Sequence, residues 1–319
     1  MSVKVCLVTP APPGSRKGNR ITALRWARIL RDLGQRVAVA EEYRGQRCDL
    51  LLALHALRSA PSVERYRSAH PGAPLIVALT GTDLYGTLHT HPEARRAVDL
   101  ATRLIVLQPL GVAELPEAAR SRARVIYQSA PAPRQGAAPR RDRFEVCVLG
   151  HLRPVKDPFR TARAARLLPQ ASRLRVLHVG AALSPQMAEQ ARAEAADNPR
   201  YRWLGELPRG RALRVLGRSR LLVLTSELEG GANAISEALA ASVPVLSSRI
   251  AGSVGLLGAD YPGYFPVGDT AALARLLERA ESDAGFYRAL QEWCACLRPL
   301  VDPEREQQSW ADLLRELGR

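Results

Sequence analysis

Short apolar runs alternate with helix-patterned stretches along almost the whole of this 319-residue chain, and that alternation limits the fold more than any other feature. Val3–Val8, Arg36–Ala40, Leu50–Leu54, Leu75–Leu79, Leu104–Leu107 and Arg124–Tyr127 read as strands. Helical stretches fall between most of them. Ile21–Leu33 repeats apolar residues at Ala23, Trp26, Ala27 and Leu30 and closes at Gly34. Strands that are apolar throughout are buried on both faces, and strands joined by helices pair in parallel. The expectation is an α/β fold, a parallel sheet with helices on both sides.

The pattern stops at residues 131–143, PAPRQGAAPRRDR, where three prolines, a glycine and a charge cluster leave no apolar period. Beyond this linker it restarts. Glu145–Leu149, Leu174–Val179, Tyr201–Leu204, Leu221–Leu224 and Val245–Ser247 read as strands. Phe159–Leu168, Pro185–Ala196, the stretch near Arg211–Gly217, Ala232–Ala241 and Thr270–Leu297 read as helices, and Glu304–Leu317 is an amphipathic one. The organisation is therefore an N-terminal domain at 1–130, a linker, a second doubly wound domain at 144–300, and a C-terminal helix at 301–319. Packing of that helix back on the first domain is one option. A mass of 34.8 kDa agrees with two domains.

Composition narrows the class. With 46% hydrophobic and 24% charged residues, a disordered or collagen-like chain is excluded. No apolar run approaches the roughly 18 residues of a membrane span. The start, MSVKVCLVTP, lacks the order of a signal peptide. The five cysteines, Cys6, Cys48, Cys147, Cys294 and Cys296, lack zinc-site spacing. They read as reduced thiols of a cytoplasmic protein. The net charge of +15 raises nucleic-acid binding. The arginines are scattered, however, and no basic run carries the interleaved aromatics of a single-strand platform. The expected partners are small molecules, not nucleic acid or membrane, and the oligomeric state stays open.

Three segments of the second half carry chemistry. In SELEGGANAISEALA, residues 226–240, Glu229 stands at the start of a helix and Glu237 a little over two turns into it. Gly230 and Gly231 give room for close approach of a ligand, and the first-turn N–H groups of a helix face outward. A carboxylate accepts two hydrogen bonds from a diol, so such residues suit sugar and ribose hydroxyls. A capped helix with solvated carboxylates is the bland alternative. In GHLRPVKDP, residues 150–158, Gly150 opens a loop in which Arg153 and Lys156 are placed to neutralise a diphosphate. The third segment is YRWLGELP, residues 201–208.

In the first half, TPAPPGSRKGNR at residues 9–20 joins the first strand to the first helix. Gly14 and Gly18 make a flexible turn, and Arg16, Lys17, Asn19 and Arg20 add donors beside a helix N-terminus. The loop is neither a P-loop nor a dinucleotide fingerprint. His55 and Thr80, Gly81 and Thr82 follow two further strands, at the edge where open α/β sheets bind ligands. His55 as a core histidine and Asp83 as a turn cap are the alternatives.

The S-x-x-E-G…E-A-L-A frame followed by Val243-Pro-Val resembles the signature of the family 4 retaining glycosyltransferases. The resemblance implies a GT-B fold, two Rossmann-like doubly wound domains facing across a cleft. It implies Glu229 toward the donor sugar and Glu237 on the nucleotide ribose. Lys156 matches the lysine of the family's G-R-L-x-x-x-K pattern. His151 stands where the family has arginine, so Arg153 or His151 takes that role. Gly205 and Leu207 fall in the stretch that holds the base through main-chain groups. Ala251-Gly252-Ser253 resembles the family's small-residue turn, while Gly255 stands where a further acidic residue is usual.

TPAPPGSRKGNRITA, LTGTDLY, LQP, VIYQSA and GHLRPVKDPFR together resemble a narrower branch, the selenosugar synthases of selenoneine biosynthesis. That resemblance implies joining of selenophosphate to the sugar of UDP-N-acetylglucosamine, with UDP leaving. It places the anionic acceptor at Gly14, Ser15, Arg16, Asn19, Arg20, His55, Thr80, Gly81 and Thr82. No metal and no cofactor are expected, the UDP-sugar being a substrate. A family 4 enzyme with an ordinary hydroxyl acceptor is the alternative, and a nucleic-acid-binding protein a more distant one.

Overall fold

A computed structural model describes residues 2–15, 18–132 and 138–318. They form two α/β units. One takes the described chain up to Gln128 together with Glu229–Gly231 and the segment from Pro303 onward. The other takes Ser129–Leu228 and Ala232–Asp302.

The first unit holds six parallel strands: β1 (Lys4–Val8), β2 (Arg36–Ala40), β3 (Leu50–Leu54), β4 (Leu75–Ala78), β5 (Arg103–Val106) and β6 (Ala123–Val125), in the order β2-β1-β3-β4-β5-β6. Successive side chains of a strand point to opposite faces. Val5, Leu7, Leu50, Leu52, Leu54 and Ile76 therefore pack with Ala23, Trp26, Ala27 and Leu30 of the helix Gly18–Asp32. Cys6, Val8, Leu51, Ala53, Leu75 and Val77 pack on the other face with Val63, Tyr66, Ala97 and Val98. All five residues of β3 are buried, as a strand covered on both sides requires.

The helix Pro303–Glu316 belongs to this unit. Trp310 meets Trp26 edge-on, ring centroids 5.0 Å apart, and Trp26 Nε1 donates to Glu306 Oε1 at 2.7 Å. Arg25 pairs with the same buried carboxylate at 3.0 Å. Burying two indoles while satisfying the carboxylate is what anchors the segment.

The second unit repeats the plan with β7 (Phe144–Leu149), β8 (Leu174–Val179), β9 (Tyr201–Trp203), β10 (Leu221–Leu224), β11 (Val245–Ser248) and β12 (Tyr264–Phe265), ordered β12-β11-β10-β7-β8-β9, again parallel. Each sheet reverses its strand order once, beside β1 and β3 in the first unit and beside β7 and β10 in the second. Such switch points open a crevice beyond the strand carboxyl ends.

Three local expectations differ from the structure. Residues 251–253, expected as a turn, open a helix, Ala251–Leu257, because Ser247 Oγ donates to Ser253 Oγ at 2.8 Å and fixes its first turn on β11. The helices expected over 270–297 are two, parted where Asp283 caps the second through Phe286 N. The first helix begins at Gly18, so Asn19 and Arg20 lie in its first turn rather than before it. Asn233 starts the helix that carries Glu237. Glu229 therefore precedes that helix by four residues, and Glu237 lies in its second turn.

Candidate functional site

In the second unit, the crevice between β7 and β10 is lined by the loop that leaves β7. Leu152 bridges Ala182, so the pairing of β7 with β8 continues past Gly150. Gly180 carries this approach: a Cβ there would lie 1.9 Å from Gly150 O. Beneath it, buried His178 Nε2 donates to Gly150 O at 3.2 Å while Nδ1 accepts from Tyr201 O–H at 3.0 Å. Burial holds this imidazole neutral, its pKa lowered to about 4. Gly150 itself faces open space. His151 Nδ1 accepts from Ala181 N at 3.0 Å.

Arg153, in extended conformation, precedes the short turn Pro154–Lys156. Asp157 closes that turn at φ +40°, a left-handed geometry rare for a residue with a Cβ. Three contacts hold it. Arg160 Nε meets Asp157 Oδ2 at 2.5 Å. Thr225 Oγ1 lies 2.9 Å from both Lys156 O and Asp157 O, and Glu227 N donates to Val155 O at 2.9 Å. The backbone under half-buried Lys156 is thus tied to the end of β10. On the far side of β8, Gly205, at φ +67°, accepts from Gly180 N at 2.9 Å. Half-buried Leu207 leads through Pro208 into the helix Arg209–Arg218.

Glu237 is not on a solvated face. Its side chain is 10% exposed, and Arg209 Nη2 lies 2.9 Å from Oε1. Arg209 is a residue that the sequence reading missed; among so many arginines nothing marked it. Gly180 and His178 were missed as well, since they act from beneath the loop.

In the first unit, the strand ends gather hydroxyls, amides and one imidazole. Thr9, at the end of β1, is fully buried, and its Oγ1 has no hydrogen-bond partner among the described residues. Gly14, at φ +80°, stands in a turn closed by Ser15 N donating to Pro12 O at 3.1 Å. Arg16 and Lys17 lie outside the described residues. Asn19 and Arg20 are half-buried, and Arg20 Nε is a buried donor without an acceptor among the described residues.

His55 follows β3 at φ +73° and is 3% exposed. Its Nε2 lies 3.2 Å from Thr82 Oγ1, and Nδ1 accepts from Arg58 N at 3.3 Å. Asp83 is fully buried. Its Oδ1 accepts from Thr80 N and Gly81 N, each at 2.8 Å, and Oδ2 from Ala56 N at 2.9 Å. The carboxylate therefore ties the end of β4 to the end of β3. Burial lowers the pKa of His55, against the opposite pull of Asp83.

Gly230 and Gly231, expected to make room for a ligand, and Gly81, expected at the acceptor, give room to the chain itself. A Cβ on Gly81 would lie 2.8 Å from Gly230 N, and one on Gly230 only 2.6 Å from Thr80 O. One on Gly231 would meet Leu107 Cβ at 2.7 Å. Half-buried Glu229 is thereby set beside the Thr80–Gly81 turn. Among the described residues, no group of three or more His, Cys, Asp or Glu is placed to hold a metal ion, and no helix is long and apolar enough to cross a membrane.

The sequence pattern of the family described as glycosyl transferases group 1 matches residues 131–293, just over half of the chain. No curated protein matches it in sequence. Among solved structures, HepE of Anabaena in complex with UDP and glucose superposes with a TM-score of 0.77 at 17% identity, over 98% of this chain and 100% of its own. A sucrose-phosphate synthase from Thermosynechococcus elongatus gives 0.77 at 17% identity, over 98% of each chain. The UDP-forming α,α-trehalose-phosphate synthase of Burkholderia xenovorans, in complex with glucose-6-phosphate, gives 0.68 at 14% identity, over 85% of this chain and 74% of its own. At these identities the likeness is one of fold, two Rossmann-like domains of GT-B type.

Proposed function

The chain belongs to the group 1 glycosyl transferases, and we propose that it transfers the sugar of UDP-N-acetylglucosamine to selenophosphate. In this reading UDP is held by the second unit. Glu237 receives the ribose hydroxyls, Gly205 and Leu207 present main-chain groups to the base, and Lys156 with Arg153 takes the diphosphate charge in place of a metal. Glu229 faces the sugar. Selenium attacks C1 as the bond from C1 to the diphosphate oxygen breaks, and the electron pair leaves on UDP. The developing charge on that oxygen is what the two cations stabilise.

The observation that carries the acceptor class is the state of Asp83. Three backbone N–H groups occupy this carboxylate at the ends of β3 and β4, and Glu229, beside the Thr80–Gly81 turn, is assigned to the sugar. A hydroxyl acceptor wants a base within reach. Arg20 and Thr82 offer donors instead, which suits an acceptor that arrives ionised. The complexes of HepE with UDP and glucose support a UDP-sugar donor by analogy of fold. Incubation with several UDP-sugars and selenophosphate, followed by mass detection, tests the reading. A 1-seleno sugar, with or without its phosphoryl group, is expected. Glycosylation of hydroxyl acceptors with selenophosphate untouched would refute it.

A further inference from the structure

We propose that His55 is a positioning residue that fixes the Thr82 hydroxyl as a hydrogen-bond donor to the acceptor, and that it does not act as a base. The proposal rests on the acceptor reading above and deepens it. Hydrogen-bond bookkeeping around one imidazole carries it. His55 Nδ1 accepts from Arg58 N at 3.3 Å, so Nδ1 bears no proton. A neutral imidazole with a bare Nδ1 carries its proton on Nε2. That proton is 3.2 Å from one oxygen, Thr82 Oγ1, which must then accept. A hydroxyl that accepts from the ring keeps its own proton to give. Among the described residues no other group meets Thr82 Oγ1, and Thr82 is half-buried, not sealed from solvent. The proton is left to a ligand at the β4 end.

The groups around the ring hold this state. Arg58 disfavours a charged imidazole, as burial does. Asp83 and a hydrogen bond to the His55 backbone favour one, but Asp83 Oδ2 stands 4.0 Å from Nδ1, beyond hydrogen-bond reach, and accepts from Ala56 N. The alternative tautomer, with the proton on Nδ1, would face the Arg58 N–H head-on. It is the tautomer a base would need to take a proton at Nε2. The backbone at φ +73° also points to a built position, since a left-handed residue with a Cβ is strained and persists where the surroundings hold it.

The test has two parts. Nitrogen NMR of the ligand-free protein, with His55 assigned through His55→Asn, reads the tautomer independently of any substrate. A neutral ring protonated on Nε2 at pH 7 is expected. A proton on Nδ1, or an imidazolium, would overturn the proposal. Asparagine is chosen because it tolerates the left-handed backbone yet cannot span to Thr82.

The second part is kinetic, with UDP-N-acetylglucosamine and selenophosphate. Thr82→Val should raise the apparent KM for selenophosphate about tenfold or more, since a bond to a charged partner is lost. Thr82→Ser should restore most of it, and UDP affinity should stay unchanged. Combining His55→Asn with Thr82→Val should add little to Thr82→Val alone, and the pH profile of His55→Asn should keep the wild-type shape. Additive losses, or a pH limb missing from His55→Asn, would make His55 a base or a merely structural group and refute the proposal. If the wild type leaves selenophosphate untouched, the acceptor reading falls, while the NMR still decides the tautomer.

Discussion

Arg209 and Glu237 meet at 2.9 Å in the second unit, an arginine whose side chain is 41% exposed against a carboxylate that is 10% exposed. An ion pair with one partner this open contributes about 0.2–1 kcal/mol. A buried carboxylate that receives ribose hydroxyls is worth more, about 1.5–3 kcal/mol. The two residues should therefore separate. Glu237→Ala is expected to weaken UDP binding at least tenfold in calorimetry, and Arg209→Met by less than about fivefold. Equal losses in both variants would make Glu237 an anchor for Arg209 rather than a nucleotide contact.

Gly150 and Gly180 touch, yet they should respond differently to alanine. At Gly180 a Cβ would run into Gly150 O at 1.9 Å, while at Gly150 it meets nothing within 4 Å. Gly180→Ala must push the loop aside and should lose about 1–3 kcal/mol of stability together with UDP affinity. Gly150→Ala should leave stability unchanged or slightly raised in urea titration. If the diphosphate approaches the backbone at Gly150, that variant will still lose UDP affinity. Unchanged affinity in Gly150→Ala would move the diphosphate elsewhere.

His178 makes the fold acid-sensitive. Its folded pKa of about 4 lies below the unfolded value near 6.5, so the unfolded chain binds the extra proton first. The contribution is complete above pH 6.5 and is lost as the pH falls toward 4. Over that window it amounts to about 3 kcal/mol. His55, shifted in the same direction, adds to the same slope. Unfolding free energies at pH 7.5 and 4.5 should differ less in His178→Gln than in the wild type. Equal differences would mean that the buried imidazole is not the responsible group.

These sites were legible in the sequence to different degrees, and the reasons are physical. Strands such as Leu50–Leu54 announce themselves because burial on both faces demands an unbroken apolar run. Lys156 stood out by residue type and spacing in the loop after a strand, and Glu237 by its spacing from Glu229 into the helix that follows one. β12, at Tyr264–Phe265, is two residues long, too short to carry a period. The helix Ala251–Leu257 was hidden by Gly252, Ser253 and Gly255, which lower helix propensity. It is tied to β11 through Ser247 and Ser253 and packs on the helix Ala284–Leu297, neither of which a local pattern records. Gly180 and His178 escaped for a related reason: their role is to hold Gly150 from below, and that is a property of tertiary packing. The hydrogen-bonding of His55 and Thr82 likewise depends on bringing together residues 27 positions apart.

The most direct measurement of the account is the bond made at C1. UDP-N-acetylglucosamine labelled with carbon-13 at C1 should be incubated with selenophosphate and a pool of hydroxyl acceptors together, and the product C1 read by NMR. The account predicts a C1 resonance coupled to selenium. It also predicts strong loss of that product in Arg20→Ala with UDP affinity retained. A product in which C1 is bonded only to oxygen would contradict it.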